Sequence, residues 1–307
     1  MLRRDQAHLQ FGVEPGQAVV VRDSPSMRNL LSQLDGLRSR DLVLAACPDR
    51  DQAAETLDLL VGVGVVVDAD MVRSAPAPRE LAPMLGRRSG ERADEEVRAR
   101  ARATVALAAT GGAVTGLLVA IGELLVGAGV GRLVAGDDVA NQIRARDASG
   151  WRHALPPGHP RPDVAVVVGS PVTGPDTEAL VVSALPHLAL SLVDGIAAVG
   201  PFVRPGATAC VACVDATLAS RDPAWPAVVD QLRPAHRKPP AIADLSTPRS
   251  RVLESAVATW ATREVLAHLS GSAVLTVGAS LRLDADLIQQ VVHRWALHPG
   301  CGCSLLA

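Results

Sequence analysis

Apolar residues at Met27, Leu30, Leu31 and Leu34 recur at i, i+3, i+4 and i+7, the spacing of one helix face. Ser24 stands at the N-cap position with Pro25 just behind it, and Asp35-Gly36 closes the pattern. A shorter helix is predicted from about Asp41 to Cys47, stopped by Pro48. A third begins near Asp51 and carries Ala53, Leu57, Leu60 and Gly64 along one face. Ahead of these, His8–Val13 and Gln17–Arg22 are short β-type runs, with Glu14-Pro15-Gly16 between them as a turn. A hairpin followed by three helices is the order of a small winged-helix domain, placed at residues 1–75. The pattern then breaks. Ser74–Arg100 is dense in Pro, Gly, Ala and charge, so 76–100 is expected to be an exposed linker, helical from Ala93.

From Thr104 onward the periods are those of a buried α/β layer. The β-branched and Ala-rich run Thr104–Ala109 meets Gly111-Gly112, and an apolar segment of helical length follows. A second run, Arg132–Ala135, ends at Asp137-Asp138, which completes the order of a nucleotide-binding βαβ unit. The glycine triplet that fits best is Gly111, Ala113, Gly116, so a methyl group stands where backbone would approach a pyrophosphate. Asp163–Val168 reads as a strand of a parallel sheet, Asp176–Leu185 as a helix and His187–Val193 as another strand. The stretch Gly200–Gly206 is expected to turn into a cysteine pair. A long helix over Arg249–Leu269 places Leu253, Val257, Trp260 and Val265 near one stripe, and 273–283 and 287–295 are β-like. The predicted class is therefore α/β: a winged-helix unit, then a Rossmann-like domain over 101–307.

Composition narrows the function. The chain has 307 residues, 48% hydrophobic and 20% charged, enough to bury a substantial core and long enough for two domains. A net charge of −2, no Tyr, 2 Phe and 4 Trp leave little with which to bind nucleic acid. The third predicted helix, Asp51–Asp58, is acidic and would repel phosphates. The apolar segment Gly112–Val134 is long enough to span a bilayer, but Glu123, Arg132 and its internal glycines argue against a membrane role. Met1–Asp5 does not open like a secretory signal, so a cytoplasmic location with reduced thiols is expected.

Cys210-Val-Ala-Cys213 and Cys301-Gly-Cys303 carry the strongest chemical signal. Each pair lets one tight turn offer two sulfurs to a single ion, and four thiolates complete a closed tetrahedral zinc site. Such a site has no open position and is structural, tying the end of the chain to the middle of the domain. His298 is an alternative ligand; buried thiols or a redox pair are the competing readings. Cys47 is expected to be a small buried hydrophobe.

Two resemblances follow from these residues. VVVRDSPSMRNLLSQLDG with two helices after it resembles the RiPP recognition element, a module that binds leader peptides of ribosomal natural-product precursors. The resemblance implies that a leader pairs with the strand carrying Val19, Val20, Val21 and Arg22. It also implies that the leader lies against the third helix at Glu55, Leu59 and Val63. The bland alternative is a small domain that only packs on its neighbour. The βαβ unit with two cysteine pairs resembles the ThiF-like, ubiquitin-activating-enzyme-like superfamily, whose members adenylate a carboxylate. GPFVRPGATACVACVDATLASRDPAWP and HPGCGC are similar to a branch of partner proteins in azole-forming peptide modification, the thiopeptide and linear-azole (TOMM) class.

That family's adenylation motifs are incomplete here. The glycine run is ATGGAV; Asp137 alone remains of the acidic pair; ANQIRA keeps Asn141 and Arg144; no lysine lies between Asp137 and Asp163. The later aspartate position holds Gly169-Ser170. A triphosphate site needs cations and a carboxylate for Mg²⁺, so Gly111, Gly112, Asp137, Asn141 and Arg144 read as vestigial, and neither bound ATP nor a catalytic residue is expected. The resemblance implies a non-catalytic scaffold that grips a precursor leader and docks a YcaO-type cyclodehydratase, with a homodimer possible. A working adenylating enzyme is the alternative. An NAD-dependent oxidoreductase, with Asp137 on the ribose, is the third reading.

Overall fold

The computed structural model describes residues 1–14, 16, 18–85, 90–110, 115–146, 161–169, 171–232 and 250–306. The chain divides into two compact units, Met1–Arg98 and Ala99–Ala307.

The first unit opens with β1 (Leu2–Arg3), β2 (His8–Phe11) and β3 (Val19–Arg22), an antiparallel sheet in that order. Leu9 faces Val21 and Phe11 faces Val19 across the β2–β3 ladder. α1 (Pro25–Gln33) starts where the Met27 N–H donates to Ser24 Oγ at 3.1 Å. α2 (Arg40–Ala45) and α3 (Arg50–Gly62) are capped in the same way by Ser39 and Asp49. Leu30, Val43, Leu44, Leu57 and Leu60 form the core beneath the sheet, with Phe11 and Val21 packed against it. Three more helices follow: α4 (Ala69–Ser74), α5 (Pro78–Leu85) and α6 (Gly90–Arg102). Here the expectation of an exposed linker is corrected. Leu81, Ala93 and Val97 are fully buried with Ala75 in a core of their own. The apolar positions are few and set among Arg and Glu, so their helical period was diluted below notice.

The second unit is built on β4 (Thr104–Thr110), α7 (Thr115–Gly127), β5 (Arg132–Val134) and α8 (Asp137–Arg146). β6 (Val164–Gly169), α9 (Gly174–Val182), β7 (His187–Val193) and β8 (Ile196–Val203) extend it. α10 (Val211–Arg221), α11 (Trp225–Leu232), α12 (Arg251–Leu269), β9 (Ala279–Asp284) and β10 (Gln290–Arg294) complete it. The sheet order is β10-β9-β8-β7-β6-β4-β5; the β5–β4–β6–β7 block is parallel and the rest antiparallel. β5 and β6 flank β4 on opposite sides, which puts a topological switch point at the carboxyl end of β4. All six residues of β6 are buried, as a strand covered on both faces requires. Leu117, Leu118, Ile121 and Leu125 of α7 share one core with Leu253, Val257, Ala261 and Val265 of α12. Gly122 lets α8 pack close, since a Cβ there would meet the tip of the Ile143 side chain. Among the described residues no helix is long and apolar enough to cross a membrane.

Two local expectations change. Gly200–Val203, expected in a turn, ends strand β8. Pro201 brings no N–H, and the β7–β8 register shifts there: Leu188 faces Phe202 but Leu190 faces Val199, so one extra residue bulges out. Gly200 sits at φ +106°, and a Cβ would strike the Ala279 carbonyl oxygen. Residues 273–278 are likewise not strand; Glu264, fully buried in α12, holds them by accepting the Thr276 N–H at 2.7 Å and its hydroxyl at 2.5 Å.

His187 is fully buried at the start of β7, its Nδ1 placed to donate to the Leu185 carbonyl at 2.9 Å. Burial pushes its imidazole below the ordinary 6.5, so the folded state holds it neutral while the unfolded chain protonates near 6.5. Below that pH the unfolded state binds more protons, and stability falls with pH. His187→Gln is expected to unfold with a shallower pH dependence between about pH 6.5 and 5 in urea titrations. A slope equal to that of the parent protein would reject this.

Candidate functional site

Four sulfurs converge beside α10. β8 ends at Val203, the chain turns through Gly206 at φ +78°, and Cys210 becomes the N-cap of α10 with Cys213 one turn on. At a spacing of three along a helix start, both sulfurs face the same side. Cys301 and Cys303 arrive from the end of the chain. There the Trp295 N–H donates to the Gly278 carbonyl at 2.8 Å and its indole N–H to Ser280 Oγ at 2.9 Å. The Cys301 N–H then closes a turn on the His298 carbonyl at 2.9 Å.

Cys210 Sγ lies 3.8 Å from Cys213 Sγ and 3.6 Å from Cys301 Sγ, and Cys213 Sγ lies 3.4 Å from Cys303 Sγ. All four ligand atoms lie within 4.8 Å of one another. A tetrahedron of thiolates about 2.3 Å from a central ion has edges of about 3.8 Å, so the set can hold one metal ion with sulfur shifts of about 1 Å or less. His298 is not in the set. Its backbone N–H donates to Cys213 Sγ at 3.4 Å, its Nδ1 accepts the Gly300 N–H at 3.1 Å, and its Nε2 faces Ser220 Oγ at 3.4 Å. The residue supports a ligand instead of being one.

Burial pushes the Cys210 thiol well up and the Cys303 thiol up to about 11. Burial acts in the same direction on Cys213, but hydrogen bonding, led by the His298 N–H, outweighs it and holds that thiol below its ordinary value. An entering ion must therefore displace protons, and binding strengthens as pH rises. Cys47, half-buried in the first unit, donates its thiol to the Val43 carbonyl at 3.4 Å and takes no part.

In the first unit, β3 pairs with β2 on one side, and among the described residues no strand pairs on the other. Val20 and Arg22 are exposed, while Val19 and Val21 are half-buried; Val21 touches the core. Glu55, Leu59 and Val63 follow one another at every fourth residue on the solvent side of α3 and its end, Leu59 being 72% and Val63 55% exposed. Among the described residues no hydrogen bond joins these to β3, and α1 and α2 both pack on α3. No pattern in the residues signals a cavity of about 1050 Å³ on the other flank of α3, lined by Phe11, Leu31, Leu34, Leu57, Val61 and Ala69.

At the switch point, Gly111, Gly112 and Ala113 lie outside the described residues. Asp137 is the first residue of α8 and Asn141 stands one turn later, both exposed; the Arg144 side chain is also outside the described residues. β4 and β6 close tightly at their carboxyl ends: a Cβ at Gly169 would collide with Thr110 Oγ1. No carboxylate side chain fits at that position.

No protein-family model matches the chain, and no curated protein matches it. Solved structures do. E. coli MccB crystallised with ATP superposes with a TM-score of 0.55 at 13% identity, over 97% of this chain and 98% of that one. The microcin C7 biosynthetic enzyme MccB in complex with N-formylated MccA gives 0.54 at 14% identity, with the same 97% and 98% coverage. The heterocyclase TruD gives 0.59 at 16% identity, over 97% of this chain but 42% of that one. At these identities the shared property is the fold, mixed α/β with a seven-stranded mixed sheet in this chain.

The purified protein is expected to carry about one metal ion per chain, lost from Cys213→Ser and released on acidification to about pH 5. Elemental analysis after gel filtration checks both. Full occupancy in the serine variant would rule out the four-sulfur site.

Proposed function

We propose that this chain is a non-catalytic scaffold in azoline or azole peptide biosynthesis. Its first unit, a winged-helix RiPP recognition element, binds the leader of a ribosomal precursor, and its second unit presents that precursor to a YcaO-type cyclodehydratase. Cys210, Cys213, Cys301 and Cys303 hold a structural zinc ion that closes the second unit. The observation that carries the reading is the unpaired β3 edge, an extended backbone row that a guest strand can complete. The fold it shares end to end with an enzyme solved in complex with N-formylated MccA supports this. The heterocyclase match leaves over half of that chain uncovered, which supports a ring-forming partner on another polypeptide. A homodimer through the second unit is part of the same reading.

Main-chain pairing along a four-residue strand with a few apolar contacts corresponds to micromolar binding, about −8 kcal/mol. Tethering at that affinity raises the local concentration of core Cys, Ser and Thr to the millimolar range at the partner's active site. Leader binding by fluorescence anisotropy is expected to weaken at least about tenfold in Val20→Glu and in Leu59→Glu. A leader N-methylated at alternate residues is expected not to bind. Unchanged affinity in both variants, or undiminished binding of the methylated leader, would end this assignment.

One second reading has an observation in its favour. The match to MccB with ATP covers nearly all of both chains, which favours an adenylating enzyme. Gly169, with no room for a carboxylate, and the missing lysine weigh against it. ATP–pyrophosphate exchange that depends on a precursor peptide decides between them: exchange above background establishes the enzyme, and its absence leaves the scaffold.

A further inference from the structure

We propose that the four cysteines form a two-state pin: under reducing conditions a metal ion joins the end of the chain to α10, and under peroxide two disulfides, Cys210–Cys301 and Cys213–Cys303, replace it.

The sulfur geometry carries this. Two of the pairs that bridge α10 and the chain end, Cys210–Cys301 at 3.6 Å and Cys213–Cys303 at 3.4 Å, are closer than the pair within the C-x-x-C at 3.8 Å. Closing a pair to the disulfide bond length of about 2.05 Å asks each sulfur to move under about 1 Å, within reach of a small side-chain rotation. The bridging pairs span 91 and 90 residues, whereas Cys210 and Cys213 are 3 apart, so the bridges constrain the unfolded chain far more. Access orders the events. Cys301 is half-buried, while Cys210, Cys213 and Cys303 are 2%, 0% and 5% exposed.

The chemistry balances. The Cys301 thiolate attacks a peroxide oxygen, breaking the O–O bond to give a sulfenic acid and hydroxide. The Cys210 thiolate displaces hydroxide from that sulfur, forming the S–S bond. Two thiolates have given two electrons to one peroxide, and two protons turn the hydroxides into water. With two of its four ligands gone the ion leaves, and Cys213 and Cys303 react with a second peroxide in the same way. What persists is the attachment. The small core of Val181, Val203, Ala209 and Trp295 around the sulfurs keeps its staple in both states.

The disulfide pattern stands apart from the identity of the metal, which belongs to the reading above. The test uses the full-length protein, with metal content measured first, then treated with two equivalents of hydrogen peroxide. Non-reducing peptide mapping is expected to join the peptide holding Cys210 and Cys213 to the one holding Cys301 and Cys303. The melting temperature is expected to stay within a few degrees of the untreated protein, while the chelated, reduced protein melts lower. In Cys213→Ser/Cys303→Ser the remaining pair is expected to close; in Cys213→Ser/Cys301→Ser it is not. A Cys210–Cys213 disulfide, sulfinic acids without bridges, or free thiols after treatment would overturn the proposal. Protein that carries no metal but forms both bridges would remove the metal reading and leave the disulfide pair standing.

Discussion

β6 is the constraint from which the second unit follows. Every one of its residues is buried, so its backbone N–H and C=O groups have no route to water. They must be met by β4 on one side and β7 on the other, and both faces of the strand must be covered by apolar side chains. α7 and α12 supply that cover in one cluster, and Val172, Val211 and Leu180 supply it in another. Parallel pairing then forces crossovers, and the crossovers fix where the carboxyl ends of β4 and β6 meet.

The antiparallel half of the sheet is held differently. β10 is exposed along its whole length and ends the sheet, so it contributes little burial of its own. What anchors the chain beyond it is a cluster made largely of sulfur: Cys210, Cys213, Cys301 and Cys303 with Val203, Ala209 and Trp295. A core that small orders a chain end poorly by burial alone. Joining the four sulfurs removes that weakness at one point, which is the physical sense of two cysteine pairs ninety residues apart.

Much of this was legible in the residues themselves. α1 was readable because Ser24, Pro25 and the four apolar positions agree on one helix, and β4, β6 and β7 because short, mainly apolar runs of strand length follow one another there. The cysteine set was readable because ligand spacing is local even when the pairs are distant. β8 was not, since Gly200 and Pro201 have the chemistry of a turn, and only the neighbouring Ala279 backbone reveals why a glycine-led bulge is needed there. The cavity beside α3 was equally hidden. Leu57 and Val61 signal a helix face, but an unfilled volume depends on what α1 and α4 leave between them.

The core of the second unit does not depend on the exposed start of α8. That core runs from Val105 and Leu107 through Val166 to Leu283 and is apolar throughout. Asp137 and Asn141 are exposed on α8 and contribute nothing to that core, so their surroundings can drift without a packing penalty. Gly169 marks the reverse dependence. The tight junction of Thr110 with residue 169 serves strand pairing, and it leaves no space for an acidic side chain at the switch point. The β3 edge has the opposite character: four residues whose outer backbone row has no strand partner among the described residues, in a unit whose helices bury themselves against one another.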